Sequence, residues 1–104
     1  MKKIKAIVKR TDEAVGHMTW ISDSLANLQK TVDGPIEVVP ISNNLKVVII
    51  CNEEGKIRDL DHNFYFGMDR IVGDVIICGV NGENFDDIPI TFEMWKTILK
   101  INWN

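Results

Sequence analysis

Hydrophobic and polar positions along the chain alternate in some stretches and recur with a helical period in others. Lys3–Lys9 reads KIKAIVK, with Ile4, Ala6 and Val8 on one side and Lys3, Lys5 and Ile7 on the other. That period of two predicts a strand with one apolar face. Thr11–Gly16 reads as a polar connection, and Met18, Trp20 and Ile21 as the lead into a helix. Over Ser22–Asp33, Ile21, Leu25, Leu28 and Val32 fall at i, i+4, i+7 and i+11, a single apolar stripe. Ser22 is the expected N-cap, and Asp23 suits the positive end of the helix dipole. Gly34 is the expected left-handed terminator, and Pro35 cannot continue the helix.

The next segments are strand-like. IEVVPI, residues 36–41, is short and carries Pro40, which lacks a backbone donor and belongs at an end or an edge. LKVVIIC, residues 45–51, is a nearly continuous β-branched run, expected in a strand that is central or covered on both faces. Ser42-Asn43-Asn44 between them predicts an antiparallel hairpin. After the turn Asn52-Glu53-Glu54-Gly55, Lys56–Leu60 reads as a short third strand of this meander. Residues 64–72 stay open between strand and loop, because Gly67 and Asp69 interrupt an apolar run. DVIICGV, residues 74–80, is a buried strand, Asn81-Gly82 a type I′ turn, and Phe85 a short return. A last helix follows Pro89, capped by Thr91, with Phe92, Trp95, Ile98 and Leu99 as its stripe.

The expected order is β-α-β-β-(β)-β-α. That is an α+β domain with a small, mostly antiparallel sheet of four to six strands and two helices, spanning residues 1–104 as one unit. It is not the βαβαβ alternation of a dinucleotide-binding fold.

Composition narrows the function classes. A hydrophobic fraction of 45% and a charged fraction of 26% are globular values and exclude disorder. The net charge of −3 argues against a generic nucleic-acid binder, which needs a basic excess to neutralise phosphates. The charge is uneven: residues 1–52 hold seven basic and five acidic side chains, and residues 53–104 hold five and ten. No leader-like apolar region follows the first residues, and no stretch approaches the ~20 apolar residues of a membrane span. Cys51 and Cys78 each lie in an apolar run, as buried core thiols do. A cytoplasmic protein with no membrane association is the expectation.

Catalytic signatures are missing. The chain has neither common phosphate-cradling glycine loop nor a nucleophile elbow. Cys51, Cys78, His17 and His62 lack the close pairs of a zinc site. A Cys51–His62 nucleophile pair is opposed by the strand position of Cys51, since burial raises a thiol's pKa and suppresses its reactivity. We therefore expect a non-enzymatic protein with no cofactor and no metal. The polar segment after residue 51 is the candidate ligand surface: Asn52, Glu54, Lys56, Asn63, Tyr65 and Arg70 offer amides, an aromatic ring and cations of the kind that hold a nucleotide-like molecule, the alternative being a charged hairpin rim with one structural asparagine turn. Trp20 and Trp103 are the expected interface residues of a homo-oligomer, because Trp is enriched at interfaces.

Several of these segments form a series that resembles a known family. Lys5-Ala6-Ile7-Val8 is its first strand, Leu25–Val32 its L-x-x-L-Q-x-x-V helix, and Glu37–Pro40 its E-V-V-P segment. Cys51–Lys56 is its C-N-E-E-G-K turn, Asn63 its following asparagine, and Gly73–Gly79 its G-D-x-x-x-x-G. On these residues the chain resembles DUF3846, a family of small proteins of unknown function from phages, plasmids and integrative elements. It departs from the pattern in a longer Gly16–Trp20 region and in the aromatic Phe64–Phe66 stretch. The resemblance implies a mobile-element context and a bacterial host cytoplasm, and transfers no activity. Two functions are consistent with that context. The first is sequestration of a nucleotide-type small molecule, as in counter-defence. The second is inhibition of a host or defence protein, for which the acidic second half would steer association with a basic surface.

Overall fold

The computed structural model describes residues 2–102. In chain order the elements are β1 (Lys3–Lys9), β2 (His17–Ser22), α1 (Leu25–Val32), β3 (Ile36–Ser42), β4 (Val47–Asn52), β5 (His62–Phe66), β6 (Asp69–Val72), β7 (Val75–Asn81), β8 (Asn84–Asp86) and α2 (Phe92–Asn102). An antiparallel six-stranded sheet runs β2-β1-β7-β4-β3, with β8 also pairing β7. The β5–β6 hairpin is a separate two-stranded sheet. The α+β expectation holds.

Both sheet faces are covered, which explains the continuous apolar runs. On one face Ile4, Ala6, Val8, Val48, Ile50, Ile76 and Cys78 pack with Leu28 and Val32 of α1. On the other, Ile7, Val47, Ile49, Cys51, Val75 and Ile77 pack with Phe64 and Ile71 of the hairpin and Trp95 and Leu99 of α2. β1 therefore buries Ile7 and even Lys9 on the side that alternation alone would give to solvent. β4 is buried at every position, whereas β3, with Pro40, forms a sheet edge as expected.

Five local expectations are corrected. Met18, Trp20 and Ile21 do not lead into a helix. They belong to β2, in register with β1 from Lys3↔Ser22 to Val8↔His17. Ile21 fits the helical stripe in sequence, but its pairing with Ile4 decides its conformation, as tertiary context often does. The helix accordingly starts later. Ser24 rather than Ser22 is the N-cap, accepting from the Asn27 N–H at 3.2 Å, and Leu25 is exposed. At the other end Asp33, not Gly34, takes the left-handed conformation (φ 65°).

Lys56–Leu60 is not a third strand of the meander. It folds as consecutive turns, with the Arg58 N–H bonded to the Glu54 carbonyl and the Leu60 N–H to the Gly55 carbonyl, both at 2.9 Å. The Asn81–Asn84 connection has positive φ at Gly82 alone, the type II′ pattern rather than I′. Residues 64–72, left open by the sequence, make most of the β5–β6 hairpin, turning at Gly67 (φ 61°). α2 forms as expected: Thr91 Oγ1 accepts from the Met94 N–H, and Trp95 is fully buried.

Candidate functional site

The six residues expected to form one ligand surface divide among several places. Asn52 ends β4 and is 4% exposed. Its amide Nδ2 donates to the Val32 and Asp33 carbonyls at 3.0 and 2.9 Å, and its Oδ1 accepts from the Glu54 N–H at 2.7 Å. It satisfies the carbonyls that α1 leaves without helical partners and shapes the following turn at the same time. The Arg58 guanidinium joins it, pairing with the Asp33 carboxylate at 2.9 Å. A Cβ on Gly34 would lie 2.6 Å from Asn52 Nδ2, so glycine is required there by close approach. Asn52→Ala should cost about 2–3 kcal/mol, because it strands the Val32 carbonyl and the Glu54 N–H. A urea titration followed by circular dichroism reads this, with the midpoint falling and the slope unchanged.

Asn52, Lys56 and Arg70 do line a common cleft, together with Glu37, Cys51, Glu53 and Asp69. The cleft is about 110 Å³, below the range of small-molecule sites, and it is crowded with carboxylates. Lys56 pairs with the Asp69 carboxylate at 2.9 Å, an exposed contact of little strength. Burial, with the nearby Glu37 charge, pushes the Cys51 thiol up to about 11, leaving it protonated and unreactive at neutral pH. Glu54 engages this region only through its backbone. Tyr65 sits opposite Arg70 across the hairpin and against the His62 ring (centroids 5.0 Å apart), and Arg70 Nε donates to His62 Nδ1 at 3.3 Å.

Asn63 belongs to a different place. Its Nδ2 donates to the Lys9 carbonyl at 3.0 Å and the Gly73 carbonyl at 2.7 Å, and its Oδ1 accepts from Lys9 Nζ. Lys9 is 3% exposed. Its Nζ also donates to the Glu13 carbonyl at 2.8 Å and lies 5.7 Å from the Phe64 ring centroid. Among the described residues no carboxylate comes within ion-pair distance of it. Burial pulls the Lys9 ammonium below the ordinary lysine range, opposed by the charges of Glu13 and Asp74. Next to it, Trp95 Nε1 donates to the Val15 carbonyl at 2.9 Å, so the β1–β2 connection is pinned at both Glu13 and Val15.

This connection, Phe64 and the outer flank of α2 enclose a groove of about 340 Å³. Lys9, Ala14, Val15, Asn63, Phe64, Lys96, Leu99 and Lys100 line it. The lining holds three lysines and no carboxylate, in a chain of net charge −3. Lys96 does reach Glu93 at 2.9 Å, an exposed pair of little strength. Of the expected ligand residues only Asn63 touches this groove. The rest of its lining was not singled out from the sequence, although two signals existed: Lys9 shares a strand face with Ile7, and Lys96 and Lys100 stand at i, i+4 beside Leu99.

Trp20 is 59% exposed on β2, and the other expected interface residue, Trp103, lies outside the described residues. No helix among the described residues is long and apolar enough to cross a membrane.

The residues that carry the family resemblance are largely those that hold the fold. Asn52 and Asn63 are the two anchors just described. Gly73 adopts a left-handed φ of 75°. Asp74 accepts from the Thr11 N–H at 3.0 Å. A Cβ on Gly79 would collide with the Asp87 carbonyl, so the segment after β8 can cross close to β7 only over a glycine. No curated protein and no solved structure matches the chain. A family model does, across residues 4–99, nearly the whole domain, and the chain belongs to that family: DUF3846, a domain of unknown function.

Proposed function

We propose that this protein binds and retains a small anionic molecule with a flat apolar body, a nucleotide-type ligand, and acts by sequestration without turnover. The groove beside Lys9 is its site. One observation carries the reading: three lysines, one of them buried, converge on a half-apolar groove with no lining carboxylate in a chain that is acidic overall. Lys9 is held by neutral acceptors, so its charge is uncompensated at contact distance. Phe64 and Leu99 offer an apolar wall for a base, and Lys96 and Lys100 are the cations to meet phosphate oxygens, Lys96 by turning its Nζ away from Glu93 and from the Phe92 ring, 5.5 Å from its centroid. The volume lies in the range of small-ligand sites. Lys9, whose pKa burial lowers, spends its Nζ on the Glu13 carbonyl and Asn63 Oδ1, which favours holding over chemistry. A mobile-element setting, which the family resemblance implies, gives retention a purpose: removing a host signal nucleotide would blunt a defence response.

Isothermal calorimetry against a panel of mono- and dinucleotides, with inorganic phosphate as the minimal probe, tests the site. A Lys96→Ala/Lys100→Ala double variant should bind at least about tenfold more weakly, the loss of one or more charge-assisted hydrogen bonds. Native mass spectrometry after incubation with an extract of infected cells should show a retained, chemically unchanged small molecule. Protein free of added mass, with no heat across the panel, overturns the reading and turns attention to a host protein as partner.

A further inference from the structure

We propose that the outward edge of β2 at Met18–Trp20 is a homodimerisation surface, on which a second copy of this chain adds its own β2 antiparallel and the two sheets become one. The proposal is independent of the groove.

The phase of the β1–β2 ladder settles which backbone groups face outward. The Asp23 N–H bonds to the Lys2 carbonyl at 2.9 Å, in line with the Lys3↔Ser22 register. In an antiparallel pair, hydrogen-bonded and non-hydrogen-bonded positions alternate. Ile21, Thr19 and His17 therefore spend their N–H and C=O groups on β1, and Met18 and Trp20 turn theirs away from it. A second observation fixes the same phase: on the opposite side of β1 the Lys5 carbonyl accepts from Ile88 and the Lys5 N–H donates to Asp87, so Lys5 does not bond its partner Trp20.

At Met18–Trp20 the edge lacks the usual protections, whereas at its far end the Asn27 amide takes the Ser22 carbonyl at 2.9 Å. His17–Ser22 contains no Lys, Asp, Glu or Pro, and its register with β1 runs without a bulge. The opposite edge, β3, is guarded by Glu37, by Pro40 and by a register shift between Pro40 and Ser42. Apart from the three-residue β8, one open edge and one blocked edge of the six-stranded sheet favour a closed two-fold pair over a growing filament. A second copy fits the open edge, because it brings an uncharged strand with the same outward spacing and no like charges meet.

Residues directly opposite in an antiparallel pair share a face. With the two-fold axis at Thr19, Met18 of each chain lies opposite Trp20 of the other. Both residues are then in the hydrogen-bonding phase, and a thioether meets an indole, a favourable contact. Trp20, 59% exposed in one copy, becomes covered.

Light scattering across a concentration series, coupled to residue-resolved hydrogen exchange, tests this. The expected result is a dimer on concentration, with the Met18 and Trp20 amides exchanging rapidly when dilute and slowly when concentrated. Trp20→Lys should give a monomer with an unchanged circular dichroism spectrum, and Trp20→Phe should keep the dimer. A monomer throughout the series overturns the proposal, as does a dimer in which those two amides stay fast. Nucleotide binding by the Trp20→Lys monomer would show that the groove reading stands or falls separately.

Discussion

Trp95→Ala should lower the unfolding free energy by about 4–5 kcal/mol, the upper range for deleting a buried indole. Trp95 is fully buried at the junction of α2, the β5–β6 hairpin and the sheet. Its ring meets Phe64 edge-on, with centroids 5.7 Å apart, and its Nε1–H pins the Val15 carbonyl. The substitution therefore leaves a cavity, removes an aromatic pair and strands an acceptor. Domains of this size have only about 5–15 kcal/mol of net stability, so this one substitution removes a large share of it. Trp95→Phe should retain most of the packing and lose about 1–2 kcal/mol, chiefly through the Val15 bond. Chemical denaturation of both variants gives the two differences. A loss for Trp95→Ala no greater than that for Trp95→Phe would contradict the packing described.

Alkaline pH should destabilise the protein steeply. Burial raises the Cys51 and Cys78 thiols to about 11 and about 12, against an ordinary value of 9.0. Below pH 9 both are protonated in folded and unfolded chains alike, and neither adds a pH dependence. Above it the unfolded chain releases its thiol protons first and gains relative to the native state. The two shifts correspond to about 3 and about 4 kcal/mol, lost progressively between pH 9 and 12. Lys9 works the other way: its lowered pKa means that the native state sheds its proton first, so rising pH relieves the cost of a buried ammonium. The decline should therefore fall short of the thiol sum. Urea midpoints measured from neutral pH to pH 11 should drop for the native chain and drop about half as far for Cys78→Ala. Equal slopes in the two proteins would mean that the thiols are not the cause.

The main architecture was legible because it rests on local patterns. β4 and β7 announce themselves as unbroken apolar runs, and α2 as a capped stripe around Trp95. The errors arose where long-range pairing decides. Ile21 satisfies a helical period in sequence and a strand in space, and only its pairing with Ile4 separates the two. Lys56–Leu60 has no pattern that distinguishes an irregular turn series from a short strand. The candidate site was less legible than the fold. Asn52 and Asn63 look like ligand-binding amides in sequence, yet their donors are aimed at main-chain carbonyls of α1, Lys9 and Gly73. The groove is assembled from residues 9, 14–15, 63–64 and 96–100, and no window of sequence contains it.

The sheet order β2-β1-β7-β4-β3 has a consequence for how the chain comes off the ribosome. The β1–β2 and β3–β4 ladders are each closed by neighbours in sequence, so both can form early as separate hairpins. Their inner strands, β1 and β4, then wait apart, each with a bare apolar edge, until residues 75–81 enter between them. β7 is the keystone of an arch whose two halves are built first. A chain interrupted before it has two sticky half-sheets and nothing to join them, which leaves the nascent protein most vulnerable to aggregation and proteolysis until β7 docks.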